Sequence, residues 1–199
     1  DILALPKFAD AAIIATQDQM HFEPAMKAIE LGYHLLLEKP AAPTPEECYK
    51  IADAANKKGV HVIICHVLRF TPFFRTLKKI IDDGKIGKIM NIVHQEGVGN
   101  IHQSHSYVRG NWHKEADSTP MLLAKSCHDI DIMMWLMNDT QPETVSSHGS
   151  IFQFKPENAP ENAGKKLVLC VALASPTKYE LSEKASEVTI LVDVDALNL

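Results

Sequence analysis

Cysteine is scarce in this 199-residue sequence, and long hydrophobic runs are missing. Cys48, Cys65, Cys127 and Cys170 lie far apart and form no C-x-x-C pair, which excludes a small scaffold stabilised by disulfides. No apolar run approaches the roughly 18 residues that cross a bilayer. Residues 1–16 also lack the basic start and small-residue cleavage site of a secretory signal. We therefore expect a cytoplasmic protein with no membrane partner.

An excess of positive charge is missing as well. The chain carries 20 Lys and Arg against 25 Asp and Glu, for a net charge of -5, and the basic residues are scattered. This distribution gives no basic surface for nucleic acid, so we expect no such partner. Hydrophobic residues make up 46% of the chain, which is enough for a packed globular core.

Short apolar runs alternate with helical patterns in the first third of the chain. The runs at 11–15, 34–37 and 60–64 have strand length, and the patterns at 21–32 and 44–59 have helical spacing. The predicted strands are apolar throughout rather than at every second residue. This is typical of a parallel sheet covered by helices on both faces.

Threonine followed by proline marks three predicted helix starts, because threonine caps a helix and proline suits its first turn. The predicted helices cover residues 44–59, 71–84 and 119–138. The first start also reads as a capping box, with Glu47 three residues after Thr44. Longer alternating runs predict strands at 88–97, 143–154 and 186–194. The second part of the chain is therefore expected to be α+β with an antiparallel sheet.

Charged residues directly follow the apolar run that ends at Leu37. Glu38, Lys39 and Pro40 come with no spacer, at the carboxyl end of a predicted parallel strand. Ligands bind outside such strand ends in open parallel sheets. Alternatively, Glu38 and Lys39 form an ordinary surface pair at the end of a strand.

The ordered segments AAIIAT, LLLEKP and HVLRFTPFF, followed by GKIGKI, HSYVRGNW and LLAKSCHDIDIMMWL, carry a family resemblance that extends to about residue 156. The chain resembles the Gfo/Idh/MocA family (glucose-fructose oxidoreductase, inositol dehydrogenase and MocA). The resemblance implies a partial Rossmann-type parallel sheet in a dinucleotide-binding domain, residues 1–68. An α+β domain with a mostly antiparallel open sheet, residues 69–199, would follow and serve substrate binding and homo-oligomerisation.

Members of this family mostly oxidise a sugar or cyclitol hydroxyl, or reduce the carbonyl, with NAD or NADP. The resemblance implies that Lys39 and His128 are catalytic. It also implies a cofactor-binding set of Thr16, His21, Glu38, Lys39 and Arg69. Hydride transfer needs a group that takes the hydroxyl proton. A lysine does so near neutral pH only when burial or a cationic neighbour brings its pKa down from about 10.4 towards neutrality, and a cis Lys39-Pro40 bond would aim the ammonium into a cleft.

The predicted helix at 119–138 is apolar on most faces and places ionisable residues within one arc. The residues of this arc are Ala124, Lys125, His128, Asp131 and Trp135. We expect Lys125 and Asp131 to bind the substrate, with Asp131 also holding His128 and Lys125 acting as a second cation that helps lower the pKa of Lys39. Alternatively, Lys125 and Asp129 form a surface pair and His128 is a packed core residue. Ala124 stands where many family members have aspartate.

The segment 98–118 is expected to be a loop rich in aromatic and donor side chains. Tyr107, Arg109 and Trp112 suit stacking and hydrogen bonding with a sugar, or alternatively anchor the loop to the core. Histidines occur nearby, but none has helical i,i+4 spacing or a C-x-x-C partner, so we expect no metal site. These histidines are His94, His102, His105 and His113.

The sequence contains no G-x-G-x-x-G turn to hold a pyrophosphate. We therefore expect a chain that begins inside a dinucleotide-binding domain. The predicted function is an NAD(P)-dependent oxidoreductase acting on a sugar-like substrate. Two alternatives stay open: a family member that cleaves or epimerises a glycoside through transient oxidation, and a non-catalytic piece that binds a partner or oligomerises. The sequence does not decide between NAD and NADP.

Overall fold

The computed structural model describes residues 2–138, 140–150 and 154–158. The described residues divide into two compact units, of which the first comprises residues 2–65 and 116–119 and the second comprises residues 66–115 and the described residues from 120 onward. The predicted domain boundary at residue 68 stays a prediction, because contacts alone do not define a functional domain.

The first unit is built on a three-stranded parallel sheet. Strands β1 (Ala11–Ile14), β2 (His34–Leu37) and β3 (Val62–Ile64) lie in that order. Helix α1 (Phe22–Glu30) connects β1 to β2, and α2 (Pro45–Lys58) connects β2 to β3. The predicted alternation of strands and helices and the parallel sheet are confirmed.

The prediction that helices cover both faces of the sheet is wrong for the described residues. Helices α1 and α2 pack against each other and lie on one face. Both connections cross in the same direction, and right-handed crossovers then place their helices on the same side. On the opposite face, Ile13, Leu36 and Ile63 stand in one register row and are 72%, 39% and 55% exposed.

The core of the first unit lies between this sheet and the two helices. Leu35 and Leu37 point into it and are 3% and 0% exposed, and Ile14, Ile29 and Ile51 fill the same cluster. The run of leucines before Glu38 is thus divided between the two faces of the sheet. The middle strand is anchored on its helix-covered side, and this anchoring brings the charged residues after Leu37 to the sheet edge.

Two of the three predicted helix caps form as expected. The Thr44 hydroxyl accepts a hydrogen bond from the Glu47 amide, and the Thr71 hydroxyl accepts one from the Phe74 amide at the start of α3 (Pro72–Asp82). Gly59 ends α2 at φ 71°, a left-handed conformation that favours glycine.

The predicted helix at 119–138 is broken in two, which corrects the single-helix expectation. Helix α4 (Asn100–His102) precedes it and continues as a wide helical turn over Gln103–Val108. Helix α5 then spans Met121–Ala124 and α6 spans Cys127–Leu136. Lys125 and Ser126 form a turn between the two helices, and Ser126 departs from helical geometry with ψ 1°.

Thr119 does not cap α5, which corrects the third predicted cap. Its hydroxyl donates instead to a carboxylate oxygen of Asp18 at 2.5 Å. The N-terminal boundary residue of α5 is therefore Pro120, whose side chain makes no capping bond.

The strand predicted at 88–97 does not form, because residues 88–99 contain neither helix nor strand. A strand needs a ladder partner, and the described part of the strand predicted at 143–154, residues 143–150, contains no strand either. The predicted strand at 186–194 lies outside the described residues. One-turn 3-10 helices complete the described structure, at Ile2–Ala4, Asp18–Met20, Val67–Phe70, Glu115–Asp117 and Pro156–Asn158. No helix in the described part of the chain has the length and apolar character needed to span a bilayer.

Candidate functional site

The carboxyl edge of the first unit's sheet collects the side chains that the sequence singled out. The ladder continues one residue past each strand end: the Glu38 amide donates to the Ile14 carbonyl at 2.9 Å, and the Cys65 amide donates to the Leu37 carbonyl at 2.9 Å. Glu38 and Cys65, the first residues after β2 and β3, therefore lie side by side at the carboxyl edge of the sheet. This is the edge at which open parallel sheets bind their ligands.

The Glu38-Lys39-Pro40 segment turns away from the sheet immediately after this level. The Lys39 amide donates to the Glu38 carboxylate at 3.2 Å, and both side chains are half-buried. The Lys39-Pro40 peptide bond is cis, the geometry that the sequence analysis considered as a way to direct the ammonium. The Lys39 ammonium and the Glu38 carboxylate are thus attached to a backbone whose direction at the end of β2 is defined.

Cys65 contributes a neutral group to the same edge. Burial raises the pKa of the Cys65 thiol, and the neighbouring Glu38 carboxylate raises it further. A thiol with a raised pKa stays protonated near neutral pH, where it is a weak nucleophile. The chemistry at this edge is therefore expected from Lys39 and Glu38 rather than from the cysteine.

His21 lies beneath the strand ends. Its ring is 0% exposed, with Nδ1 2.8 Å from the Pro40 carbonyl oxygen and Nε2 3.0 Å from the Thr16 carbonyl oxygen. The Thr16 hydroxyl donates to the Met20 carbonyl at 3.0 Å. Thr16 and His21, both predicted to line the cofactor, thus lie close to the Lys39-Pro40 segment. His21 contacts this segment from the interior of the unit.

Residues 116–119 return to the first unit and bind beside His21. The Gln19 side-chain amide donates to the carbonyls of Ala116 and Ser118, at 3.1 and 2.9 Å. Asp18, 4% exposed, accepts the Thr119 hydroxyl. Sequence reasoning missed this contact because its partners are about 100 residues apart, and neither helical nor strand periodicity links residues so far apart.

In the second unit, Arg69 and Asp131 form a bidentate ion pair. The guanidinium donates to the two carboxylate oxygens at 2.7 and 2.6 Å, and it lies 5.6 Å from the centroid of the Trp135 ring. Arg69 was predicted to bind cofactor and Asp131 to bind substrate. The structure brings these two side chains together, and their predicted roles stay predictions.

His128 packs edge-on against His66, with ring centroids 5.9 Å apart at 87°. The His66 ring nitrogen Nδ1 lies 4.0 Å from an Asp131 oxygen. Asp131 was expected to hold His128, but both of its carboxylate oxygens accept hydrogen bonds from Arg69. Sequence reasoning missed His66, although its place one helical turn before Arg69 was a usable signal.

The alternative surface pair of Lys125 with Asp129 does not form, because each residue has another partner. The Lys125 ammonium lies 3.0 Å from Glu96, and Asp129 lies 2.7 Å from His94 Nε2. Asp129 is 4% exposed, so its carboxylate is a buried group paired with an imidazole. Residues 94–96 thus bind across the break between α5 and α6 through two polar contacts.

The expectation of a loop over 98–118 is wrong for residues 100–108, which are helical, and the aromatic residues of the segment lie in different environments. Tyr107 is 4% exposed, stacks on His102 and contacts Trp112 at 6.4 Å between centroids, whereas Arg109 is exposed. A Cβ at Gly110 would collide with the His105 carbonyl, so this turn requires glycine. Tyr107 therefore anchors the loop, and of the three predicted substrate residues Arg109 has the most accessible side chain.

Lys39 and His128 belong to different units, and their meeting in one cleft stays a prediction. No group of three or more His, Cys, Asp or Glu in the described ranges has the geometry to hold a metal ion.

Two models of one protein family match this chain. Residues 1–66 match the model described as an oxidoreductase family with an NAD-binding Rossmann fold, and residues 74–169 match the GFO/IDH/MocA C-terminal domain. The first description agrees with the predicted dinucleotide cofactor.

Three individual proteins illustrate the relationship. The inositol 2-dehydrogenase of Klebsiella pneumoniae is 32% identical over 65% of this chain and 36% of its own length. The 2,7-anhydro-N-acetylneuraminate hydratase of Escherichia coli is 30% identical over 75% of this chain and 39% of its own length. The crystal structure of the WlbA dehydrogenase from Bordetella pertussis, in complex with NADH and UDP-GlcNAcA, superposes with a TM-score of 0.60 at 25% identity, over 74% of this chain and 41% of that protein. The chain thus spans roughly 40% of the length of such relatives.

Proposed function

Because the chain belongs to the Gfo/Idh/MocA oxidoreductase family, we propose that the full-length protein is an NAD(P)-dependent oxidoreductase acting on a hydroxyl or carbonyl of a sugar- or cyclitol-like substrate. The observation that carries this proposal is the position of Glu38, Lys39 and Pro40 at the carboxyl end of the middle strand. A half-buried lysine at this edge is placed where a ligand of the sheet would lie.

The edge also fits a nicotinamide cofactor in the chemistry of its side chains. Glu38 offers carboxylate oxygens, which accept hydrogen bonds from hydroxyls such as those of a ribose. The Glu38 backbone is fixed by the Ile14 carbonyl, so the carboxylate starts from a defined point. When bound, the nicotinamide supplies the hydride acceptor or donor.

Lys39 is proposed to hold and move the proton of the reacting hydroxyl. Oxidation of an alcohol releases this proton as the carbonyl forms, and an amine at the strand end can take it. In the reverse direction the ammonium returns the proton. His128 is proposed as a further acid/base group or hydroxyl ligand, with Asp131 and Arg69 fixing the helix that carries it.

The substrate class is proposed from the relatives and from three accessible or half-buried side chains of the second unit. Arg109 and Trp112 offer hydrogen bonding and an aromatic face, and Lys125 adds a cation. These groups suit a polyhydroxylated ring, with a carboxylate as a possible substituent. The relatives' substrates are inositol for one dehydrogenase and UDP-GlcNAcA in the complex of the other.

Replacing Lys39 by alanine tests the mechanism. In the full-length protein we expect kcat to fall by at least about 10²-fold, because proton transfer by a positioned side chain contributes that much, while NADH affinity measured by fluorescence changes little. Lys57→Ala is the control, since Lys57 is an exposed lysine paired with Asp53 on α2. Unchanged turnover in Lys39→Ala would refute the assignment.

A second candidate is a reaction with no net oxidation, in which hydride leaves the substrate and returns. The hydratase among the relatives favours it, as does Ala124 at the position where the family resemblance leads one to expect an aspartate. Product formation without accumulation of NADH would select this candidate. If the full-length protein failed to bind NADH at all, the binding or oligomerisation alternative would replace both. Homo-oligomerisation through the C-terminal domain is a further proposal, which light scattering tests.

A further inference from the structure

His21 occupies an unusual position for a polar ring, because it is completely buried and both of its nitrogens face backbone carbonyls. One carbonyl belongs to Pro40, directly after Lys39, and the other belongs to Thr16, two residues after β1. Carbonyl oxygens only accept hydrogen bonds, and a neutral imidazole carries a single N–H, so the ring donates to one of the two carbonyls. The shorter contact, at 2.8 Å, is the one between Nδ1 and Pro40.

Lys39 is thereby held on both sides. On its N-terminal side, the Glu38 amide donates to Ile14 of β1. On its C-terminal side, the Pro40 carbonyl is tied through the His21 ring to the segment after β1. Both restraints lead to the same neighbouring strand end, so the direction of the Lys39 side chain is set relative to that strand.

We propose that His21 is a positioning residue for the reaction, which fixes the proton-transferring Lys39 by donating from Nδ1 to the Pro40 carbonyl. This inference rests on the proposed function. In this proposal His21 acts through Lys39 rather than on the substrate, because its ring is 0% exposed. A simple packing role would not need a polar ring, because an apolar side chain buries at lower cost.

Two amide variants separate the two contacts of the ring. The side-chain nitrogen of His21→Asn replaces Nδ1 and keeps the donor to Pro40, whereas that of His21→Gln replaces Nε2 and keeps the donor to Thr16. We expect His21→Asn to retain kcat within a few-fold of the wild type. We expect His21→Gln to lose about 10- to 10²-fold in kcat with KM nearly unchanged, since a displacement of about 1 Å at a reacting group costs up to 10²-fold.

Thermal unfolding of both variants supplies the structural readout, and His34→Asn at the opposite end of β2 is the matched control. Equal kcat in the two amide variants, or losses that follow their melting temperatures, would overturn the proposal. If both variants fail to fold, the 15N spectrum of histidine-labelled wild type decides. A slowly exchanging proton on Nδ1 of His21 near pH ~7 supports the proposal, and an unprotonated Nδ1 overturns it.

The spectrum needs no substrate, so it separates the two hypotheses. Absence of turnover with any polyol or sugar, together with a protonated Nδ1, would refute the proposed function and leave the Pro40 contact intact. Turnover in the wild type with an unprotonated Nδ1 would refute the positioning role alone.

Discussion

The two units of the chain are stabilised in different ways. The first has a backbone ladder, two packed helices and an apolar cluster. The described contacts of the second include pairs of polar side chains, such as Arg69 with Asp131 and His94 with Asp129, and contacts between rings. Apolar periodicity carries the first kind of stability and is visible in the sequence. The second unit is stabilised by pairs of polar side chains from distant segments, and no local pattern in the sequence reveals these pairs.

The largest expected effect comes from the apolar core of the first unit. Leu37→Ala removes a side chain that is 0% exposed, and it should lower the free energy of unfolding by about 2–5 kcal/mol. Leu36→Ala, the neighbour on the exposed face, should cost far less. Both tryptophans, Trp112 and Trp135, belong to the second unit. Chemical denaturation followed by circular dichroism and by tryptophan fluorescence therefore shows whether the loss stays in the first unit.

The ion pair of the second unit should come next in size. Asp131→Asn weakens a bidentate contact to a carboxylate that is 12% exposed, and it should cost about 1.5–3 kcal/mol. Asp53→Asn provides the control, because its pair with Lys57 is exposed and should matter by less than about 1 kcal/mol. Equal losses in the two variants, measured by urea denaturation, would contradict the view that this pair stabilises the second unit.

The smallest expected effect tests a device that both units share. Thr44→Ala and Thr71→Ala each remove a helix cap and should cost about 1 kcal/mol. The loss at Thr71 should be the larger, because its hydroxyl also donates to the Leu68 carbonyl at 2.8 Å. Thr76→Ala, within α3, is the control. A smaller loss at Thr71 than at Thr44 in urea denaturation would contradict this order.

Local signals in the sequence were sufficient for the first unit. Apolar runs, capping threonines and Gly59 predicted the three strands, both helices and their parallel order. The sequence could not show that both crossovers place their helices on one face. That outcome depends on the direction of each connection across the sheet, which no residue pattern records.

The candidate site was predictable only in part. Lys39 and Glu38 were identified by their place after an apolar strand, and the cis Lys39-Pro40 bond was considered but not predicted. The contacts of His66 with His128 and of Thr119 with Asp18 were not, because they depend on tertiary packing. The break at Lys125 was missed as well, since helical periodicity continues through it.

The exposed row of Ile13, Leu36 and Ile63 has a consequence for handling this polypeptide in solution. Three branched aliphatic side chains on adjacent strands form a continuous apolar strip that is exposed to water. Beside this strip, β1 is an outer strand of the described sheet, and the backbone N–H and C=O groups on its outer side have no neighbouring strand. A sample of the 199 residues alone should therefore self-associate as its concentration rises, unless another surface shields that strip.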